Sequence, residues 1–266
     1  MGKRITLSDQ MQTITDIEIY NSRMAKSSID KIFFLSMIEN DLEYILDYGC
    51  ADGSLTCFMA ELCPDIQFYG YDNSLEMIEL ASQKETTGIQ FCSNLSTIME
   101  QLDSENTLLN LSSIIHEVYS YCSEKEVKEF WSFVFTSNFR YIAIRDMMVN
   151  RSVNYKANLN DLSKFEANFS KEKIQDFEKQ YGSIQENKNF LHLLLKYKYL
   201  ENWSREVREN YFPIYLEELV SLIPTDQYEI IYLEHYPLPY TKQQIKTDFR
   251  IDLKDNTHVK LLLVRK

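Results

Sequence analysis

The chain has 266 residues, of which 44% are hydrophobic, and a formal net charge of −12. This size and composition fit a globular protein with one large core or two smaller ones, and the acidic balance argues against broad, non-specific binding to nucleic acid. Because no run of about 18 apolar residues and no signal-peptide pattern is found, we expect a cytoplasmic protein without a membrane anchor.

The cysteines and histidines give no sign of a metal or redox motif. No CxxC or HxxxH pair occurs, and the number of cysteines is odd. We therefore predict free, buried thiols in a reducing compartment and no metal site. The cysteines are Cys50, Cys57, Cys63, Cys92 and Cys122.

The first 43 residues precede any strand-like segment. Apolar residues recur among polar ones over residues 9 to 39, which predicts two short amphipathic helices. The apolar run from Tyr44 to Tyr48 then stops at Gly49, which is typical of a buried parallel strand that enters a tight turn.

Strand-like and helix-like segments alternate from there on. Strands are predicted at residues 67–71, 89–92, 107–111 and 141–144, and helices at 54–62, 75–82, 97–102 and 124–135. This alternation predicts a doubly wound α/β fold whose mostly parallel sheet is covered on both faces. In such sheets ligands bind beyond the carboxyl ends of the strands.

The first strand end carries a small, glycine-rich loop. Asp47 is followed by Gly49, Ala51 and Gly53, and a helix-like segment begins directly after them. Glycine lets the backbone turn sharply and approach a ligand closely, although a plain strand-to-helix turn also favours glycine. The next strand end places Asp72 about 25 residues after Asp47, near the spacing of about 20 at which an acid reaches ribose hydroxyls.

The two strand ends together resemble motifs of the class I methyltransferases that use S-adenosylmethionine (SAM). The stretch from Ile45 to Gly53 is similar to the first motif, with Ala51 in place of its middle glycine, and residues 69–78 are similar to the second. The resemblance implies SAM as the cofactor. The cofactor-binding residues that it implies in these motifs are Asp47, Gly49, Ala51, Gly53, Asp72 and Asn73.

The resemblance continues along the chain. It implies that Asn94 and Leu95 contact the adenine and that the strand ending near Ser112 lies beside the reacting methyl group, with Asn110 where many members have an acid. His116 and Glu117 are the predicted catalytic or substrate-positioning residues. A histidine at the start of a helix is also often a packing or capping residue, so both interpretations of His116 stay open.

Two residues of the N-terminal segment are further candidates. Methyltransferases of this kind often close N-terminal helices over SAM, which implies that Arg23 pairs with the methionine carboxylate and that Tyr20 packs nearby. The alternative is an exposed helix face.

The predicted organisation has four parts. Residues 1–43 form N-terminal helices that pack on the cofactor site, 44–149 form the SAM-binding core, 150–225 form a helical insertion or substrate cap, and 226–266 complete the sheet with a strand pair near 228–234 and 258–264. The insertion combines lysine and arginine with tyrosine and tryptophan between residues 190 and 213. This pattern fits either RNA or nucleotide binding through Lys198, Arg205 and Arg208 or the packing of an amphipathic helix.

These observations predict a methyltransferase that acts on a small molecule. Methylation of RNA or a nucleotide through the insertion is the first alternative, and a non-catalytic, regulatory SAM- or nucleoside-binding protein is the second. A dinucleotide-dependent oxidoreductase is disfavoured, because the sixth position counted from Gly49 is Ser54 and not glycine.

Overall fold

The computed structural model describes residues 28–39, 42–84 and 87–266. Its strands occur where the sequence predicts apolar runs, with somewhat longer fourth and fifth strands. The strands are β1 (Tyr44–Tyr48), β2 (Gln67–Tyr71), β3 (Ile89–Cys92), β4 (Thr107–Ser112), β5 (Tyr141–Met147), β6 (Tyr228–Tyr236) and β7 (His258–Arg265).

The helices between these strands follow capping signals in the sequence. The side chain of Ser74 caps the helix at 75–82, and a capping box of Ser123 and Glu126 begins the helix at 124–136. The helix predicted at 97–102 instead begins at Leu95, because Asn94 caps it. The α-helices of this part of the chain are α1 (Ser28–Lys31), α2 (Ser54–Leu62), α3 (Leu75–Ser82), α4 (Leu95–Met99), α5 (Ile115–Tyr121) and α6 (Glu124–Thr136).

The later part of the chain is mainly helical, as predicted for the insertion. Its α-helices are α7 (Leu159–Glu166), α8 (Lys171–Tyr181), α9 (Asn187–Lys196), α10 (Trp203–Glu206), α11 (Leu216–Leu222) and α12 (Pro239–Phe249). The last of these connects β6 to β7, so the predicted strand pair is separated by a helix.

The strands form one sheet in the order β3-β2-β1-β4-β5-β7-β6. The pairs β1 with β2, β1 with β4, β2 with β3 and β4 with β5 are all parallel. The backbone of Arg265, near the end of β7, donates to Arg140, just before β5, so β7 runs antiparallel to its neighbour. The predicted doubly wound, mostly parallel sheet with an antiparallel closing pair is therefore confirmed. Its carboxyl edge at β1, β2 and β4 is where a ligand site is expected.

The chain divides into two compact units. The first contains the described residues up to Asp146 together with Ile223–Leu233 and Lys260–Lys266, and the second contains Met147–Leu222 and Glu234–Val259. The second unit is larger than the predicted insertion, because it also includes α12. That the insertion selects the substrate stays a prediction.

The core of the first unit lies on both faces of the sheet. Ile45 of β1 packs in one cluster with Phe34, Met59 and Phe68. Leu46, the next residue along β1, is also fully buried. A strand that is buried on both faces is typical of parallel sheets, which explains why β1 reads as an uninterrupted apolar run.

The core of the second unit accounts for the aromatic residues of the insertion. Leu191, Leu194 and Trp203 are buried in one cluster with residues of α7, α8 and α12. Arg205 is 1% exposed and forms an ion pair with Glu209 at 2.8 Å. Amphipathic packing therefore explains the apolar pattern, and Arg205 lies inside the unit, away from the surface predicted for anion binding.

All five cysteines are free, as predicted, but only Cys50 and Cys57 are buried, whereas the other three are half-buried. Within the described ranges, no helix is long and apolar enough to cross a membrane.

Candidate functional site

A cavity of about 350 Å³ opens at the carboxyl edge of β1, β2 and β4. Its wall is formed by the loop after β1, the end of β2, the turn from β4 into α5, and residues of α1 and α6. All of these residues belong to the first unit. The cavity therefore lies where doubly wound sheets bind ligands.

The loop after β1 passes twice through the left-handed region of backbone space. The φ angle is 79° at Gly49 and 72° at Gly53. A Cβ atom on Gly49 would lie 2.7 Å from Ile114 Cδ1, and one on Gly53 would lie 2.5 Å from Phe91 Cζ. Both positions therefore require glycine, for conformation and for the space that the Ile114 and Phe91 side chains occupy.

Backbone donors of the same loop are fixed by the end of β2. The N–H groups of Gly49 and Cys50 donate to the carbonyl of Tyr71 at 2.7 and 2.9 Å, and the N–H of Ala51 donates to Asp72 Oδ2 at 2.9 Å. Ala51 has a φ of 49°, a conformation that costs an L-residue about 1–2 kcal/mol. The hydrogen bond to Asp72 holds it there, so the loop is pre-organised.

Asp72 is 4% exposed and lines the cavity. Its second oxygen accepts a hydrogen bond from the N–H of Ser74 at 2.9 Å. Burial raises the pKa of Asp72, and the bonds from Ser74 and Ala51 oppose that rise. Each carboxylate oxygen has a further lone pair, so the group can still accept from two adjacent hydroxyls such as those of a ribose.

Asp47 lies deeper and is held by two side chains. Its Oδ2 accepts from Thr56 Oγ1 at 2.6 Å, and its Oδ1 accepts from Asn110 Nδ2 at 2.8 Å. Burial raises the pKa of Asp47, while these two bonds and the charge of Lys31 lower it. The contact explains why Asn110 replaces an acid, since a second carboxylate at this distance from Asp47 would repel the first.

Lys31 is a cavity residue that the sequence analysis missed. It is 4% exposed and lines the cavity from α1, and no carboxylate oxygen of a described residue lies within the 4.0 Å ion-pair distance of its Nζ. Burial, and then the charge of Arg145, lower its pKa to about 8, against the opposing effect of Asp47 and other acids. A buried ammonium without an ion-pair partner in the described part of the chain is a place for an anionic ligand group.

The neighbouring residue Asp30 anchors α1 to the sheet. Its Oδ2 accepts from Arg145 Nε at 2.8 Å, and its Oδ1 lies 2.8 Å from Lys260 Nζ. Arg145 belongs to β5 and Lys260 to β7. These ion pairs explain how a four-residue helix delivers Lys31 into the cavity at a defined position.

The turn from β4 into α5 is held by Asp146 of β5. Asp146 Oδ2 accepts from the N–H of Ile115 at 2.7 Å, and Oδ1 accepts from His116 Nδ1 at 2.8 Å. His116 is buried against this carboxylate and does not line the cavity, whereas Glu117, 6% exposed, does. Successive helical residues point about 100° apart, so only one of the two predicted catalytic side chains can face the cavity.

The predicted cofactor residues divide into three groups. Those that line the cavity are Asp47, Gly49, Ala51, Asp72, Asn73, Leu95 and Ser112. Gly53 shapes the loop without lining the cavity, and Asn94 does not line it either, since its Oδ1 accepts from the N–H of Ser96 at 3.0 Å as the cap of α4. Tyr20 and Arg23 lie outside the described residues.

Ser112 adds a polar atom that has no partner in the described protein. Its side chain is buried at the end of β4, and its Oγ has no hydrogen bond. Ser113, the next residue, has a φ of 60° and donates its N–H to the carbonyl of Arg145 at 2.7 Å. The β4 end therefore presents a hydroxyl to the cavity from a fixed turn.

The side of the cavity formed by α5 and α6 is aromatic and acidic. Tyr48 and Tyr71 lie with their ring centroids 4.8 Å apart, and the centroid of Phe130 is 5.7 Å from that of Tyr48. Glu126 and Glu129 of α6 also line this side. We call the cavity-lining residues of α5, of α6 and of the short segment between these helices the α5–α6 wall. Its members are Glu117 and Val118 of α5, Cys122 between the helices, and Glu126, Glu129, Phe130 and Phe133 of α6.

Comparisons with known proteins agree with this geometry. A family model described as a methyltransferase domain matches residues 39–125, the segment that contains the glycine loop, Asp72 and the β4 end. No curated protein matches the chain at a significant level.

Several solved methyltransferases share the fold. The plantazolicin methyltransferase BamL, in complex with a triazolic desmethylPZN analog and SAH, has a TM-score of 0.52 at 13% identity, covering 97% of this chain and 95% of its own. The related BpumL complex has a TM-score of 0.51 at 12% identity, with coverage of 98% and 95%. A SAM-dependent methyltransferase from Archaeoglobus fulgidus has a TM-score of 0.50 at 13% identity, with coverage of 94% and 100%. At these identities the likeness concerns the fold.

Proposed function

We propose that this chain is a class I SAM-dependent methyltransferase that transfers the methyl group of SAM to a small-molecule acceptor bound in the cavity at the ends of β1 and β4. The observation that carries the proposal is that three features line one cavity: the glycine loop, the buried Asp72, and the buried Lys31, which has no ion-pair partner among the described residues. In this arrangement Asp72 can accept hydrogen bonds from a ribose and Lys31 can pair with a carboxylate, while the glycine loop lies against the part of the ligand between them.

The residues of the cavity fit SAM part by part. Gly49 and Gly53 give the loop its left-handed turns, and Asp72 can accept from both ribose hydroxyls. Asn73 and Leu95 line the cavity beside Asp72 and are proposed to contact the adenosine. Asn94 already caps α4 through its Oδ1, so we assign the adenine contact at this strand end to Leu95.

The methionine end of SAM is assigned to Lys31 and Asp47. Lys31 offers an ammonium to the carboxylate, the role that the resemblance implied for Arg23. Asp47 has both oxygens bonded to Thr56 and Asn110, so we propose that it orients the loop and acts on the methionine amino group only indirectly. The two opposite charges fit the two charged ends of an amino acid.

The chain contributes mainly position to the reaction. SAM supplies a methyl group that its sulfonium already activates, so binding both reactants in line accounts for much of the rate. Asp146 fixes the start of α5, and this places Glu117 and Ser112 on the cavity surface. We propose Glu117 as the residue that positions the acceptor, and His116 as a residue that helps to hold α5.

RNA or a nucleotide is a weaker candidate acceptor. Arg205 is buried in an ion pair with Glu209, and Lys198 pairs with Asp248 at 2.6 Å. Of the three basic residues predicted for this role, two therefore already have carboxylate partners. No further observation favours phosphate binding there.

Calorimetric titration of the full chain with SAM and, separately, with NAD tests the proposal. We expect SAM to bind and NAD not to bind, and we expect Asp72→Ala to weaken SAM binding by roughly 10- to 100-fold, since hydrogen bonds to a charged group contribute about 1.5–3 kcal/mol. Glu76→Gln, an exposed acid on α3, is the matched control. Absence of SAM binding by the folded wild-type chain would contradict the proposed function.

A further inference from the structure

We infer that the acceptor carries a planar aromatic ring, which packs between the ends of β1 and β2 and the α5–α6 wall. This inference rests on the proposed function and names the substrate class of the same cavity. It follows from four aromatic side chains that line the cavity, which we call the ring cluster: Tyr48, Tyr71, Phe130 and Phe133.

The ring cluster is one connected set of rings around Tyr48. The centroid of this ring lies 4.8 Å from that of Tyr71, 5.7 Å from that of Phe130 and 5.8 Å from that of Phe133, and the planes are inclined by 52°, 64° and 35°. Tyr48, Tyr71 and Phe133 are only half-buried. Inclined rings offer both faces and edges, so a further ring can lie offset on one and edge-on to another, the two arrangements that aromatic pairs prefer.

The core of the first unit holds the ring cluster in place. Phe133 lies edge-on to the fully buried Phe139, with ring centroids 5.7 Å apart. Phe130, which is 6% exposed, packs on Trp131 with ring centroids 5.1 Å apart. Because these rings are already ordered, binding of a ligand against them costs little further side-chain entropy.

The cavity has two sides, because neighbouring residues of a strand point to opposite faces of the sheet. Asp47 accepts a hydrogen bond from Thr56 of α2 at 2.6 Å, whereas Tyr48, the next residue, packs on rings of α6. The methionine end of SAM is assigned to Asp47 and Lys31. The ring cluster lies on the other side and is not used by these contacts, so we assign it to the acceptor.

The hydroxyl and thiol groups beside the ring cluster are uncharged near pH 7. Burial raises the pKa of both Tyr48 and Tyr71, and burial, followed by the charge of Glu126, raises the pKa of the Cys122 thiol to about 11. Glu126 and Glu129, the acids of α6 on this side, are exposed residues. Apolar linings with a few polar groups that fix orientation are typical of small-molecule sites, so an uncharged ring can be buried here.

The methyl transfer balances for any such acceptor R–XH, in which X is nitrogen, oxygen or sulfur. An electron pair of X forms the new X–CH3 bond while the S–CH3 bond of SAM breaks, and the electrons of the broken bond stay on sulfur to give S-adenosylhomocysteine. The hydrogen on X is released to solvent as a proton. The ring cluster contributes by holding R, so its selectivity concerns the ring and not the acceptor atom.

Acceptor pairs that differ in the aromaticity of one ring test the inference. The full chain is incubated with methyl-deuterated SAM and with benzylamine or cyclohexylmethylamine, benzyl alcohol or cyclohexylmethanol, and phenylmethanethiol or cyclohexylmethanethiol, and labelled products are detected by mass spectrometry. Binding of each compound to the S-adenosylhomocysteine complex is measured by ligand-observed NMR. We expect the aromatic member of at least one pair to have the higher kcat/KM by about three- to tenfold, because ring contacts add to the burial of apolar area.

Equal turnover and equal binding of the two members of every pair would overturn the inference. The absence of both turnover and saturable binding for every aromatic member would overturn it as well.

Variants of α6 test the ring cluster itself. Phe133→Leu removes one of its rings but keeps an apolar side chain, and Phe135→Leu is the matched control on the same helix, outside the cavity lining. We expect Phe133→Leu to raise KM for the best aromatic acceptor by about three- to tenfold, to leave kcat nearly unchanged and to bring the aromatic-to-cyclohexyl ratio of kcat/KM toward one. Phe135→Leu should leave this ratio unchanged. A loss of folded protein does not alter the ratio, since it lowers the turnover of both members alike.

SAM affinity, measured by calorimetry, separates this inference from the proposed function. We expect Phe133→Leu to bind SAM as the wild type does. If Phe133→Leu instead weakens SAM binding and keeps the aromatic-to-cyclohexyl ratio, the rings stack on the adenine base, and the inference is overturned while the cofactor assignment stands. Failure of the folded wild-type chain to bind SAM would contradict the proposed function itself.

Discussion

Two buried lysines, one in each unit of the chain, have pKa values that are lowered to nearly the same extent. Lys31 and Lys196 are 4% and 0% exposed, and burial lowers the pKa of each from 10.5 to about 8. Their surroundings differ. The Nζ of Lys196 donates to the backbone carbonyl of Glu206 and, at 2.7 Å, to that of Glu209, and it lies 3.6 Å from the centroid of the Tyr211 ring.

Burial and a lowered pKa therefore do not by themselves identify a functional lysine. The ammonium of Lys196 is satisfied by its own unit, where Arg205 and Glu209 add a further buried ion pair. Lys31 faces a cavity and has no ion-pair partner among the described residues. The first arrangement holds a fold together, and the second is prepared for a ligand.

Substitution of Lys196 should have the largest effect. Lys196→Met leaves the carbonyls of Glu206 and Glu209 without this donor and removes one of the two buried cations, Lys196 and Arg205, that face the Glu206 carboxylate, so we expect a loss of about 3–5 kcal/mol in the free energy of unfolding. Urea titration measures this loss. In Lys31→Met, the matched substitution, removal of a buried charge that has no ion-pair partner among the described residues should leave stability unchanged or slightly higher. Equal destabilisation by both substitutions would contradict the comparison.

Substitution of Lys31 should instead change cofactor affinity. We expect Lys31→Met to weaken SAM binding by about 1.5–3 kcal/mol, the range for a hydrogen bond to a charged group, and to leave binding of decarboxylated SAM nearly unchanged. Lys31→Arg should keep part of the affinity. Calorimetry with both ligands gives the comparison directly, and an equal loss for SAM and decarboxylated SAM would mean that Lys31 does not contact the carboxylate.

The smallest expected effect is a dependence on pH of the free energy of unfolding and of ligand affinity, both caused by Lys31. Between about 8 and 10.5 the unfolded chain holds the Lys31 proton that the folded chain releases, so this residue makes the free energy of unfolding rise with pH over that interval. Affinity for a carboxylate ligand should move in the opposite direction, because binding needs the charged form of Lys31.

Titration with S-adenosylhomocysteine at pH values on either side of 8 checks this sign. The amino group of the ligand also titrates, so the quantity to compare is the difference between wild type and Lys31→Met. We expect wild-type affinity to fall more steeply as the pH rises. Parallel curves would show that Lys31 does not titrate in contact with the ligand.

The sequence predicts the local parts of the site well. The bounds of α2 and α3, the glycine loop and the position of Asp72 all follow from motifs within a few residues of one another. The sequence also places Glu117 correctly after β4. Such features depend on turn chemistry and capping, which short stretches of chain determine by themselves.

The parts that could not be predicted depend on tertiary packing. Nothing near Lys31 in the sequence indicates that its side chain enters a cavity, because this requires Asp30 to pair with Arg145, more than a hundred positions along the chain. The orientation of His116 toward Asp146 is equally non-local. The role of Asn94 had a usable signal, since asparagine directly before a helix commonly caps it.

The most direct test of the account is an experimental structure of the full chain with S-adenosylhomocysteine. The account predicts the ribose hydroxyls on Asp72, the carboxylate within hydrogen-bond distance of Lys31 Nζ, and an open space beside Glu117 for the acceptor. A ligand bound elsewhere, or bound here with its carboxylate away from Lys31 and its ribose away from Asp72, would contradict the central claim.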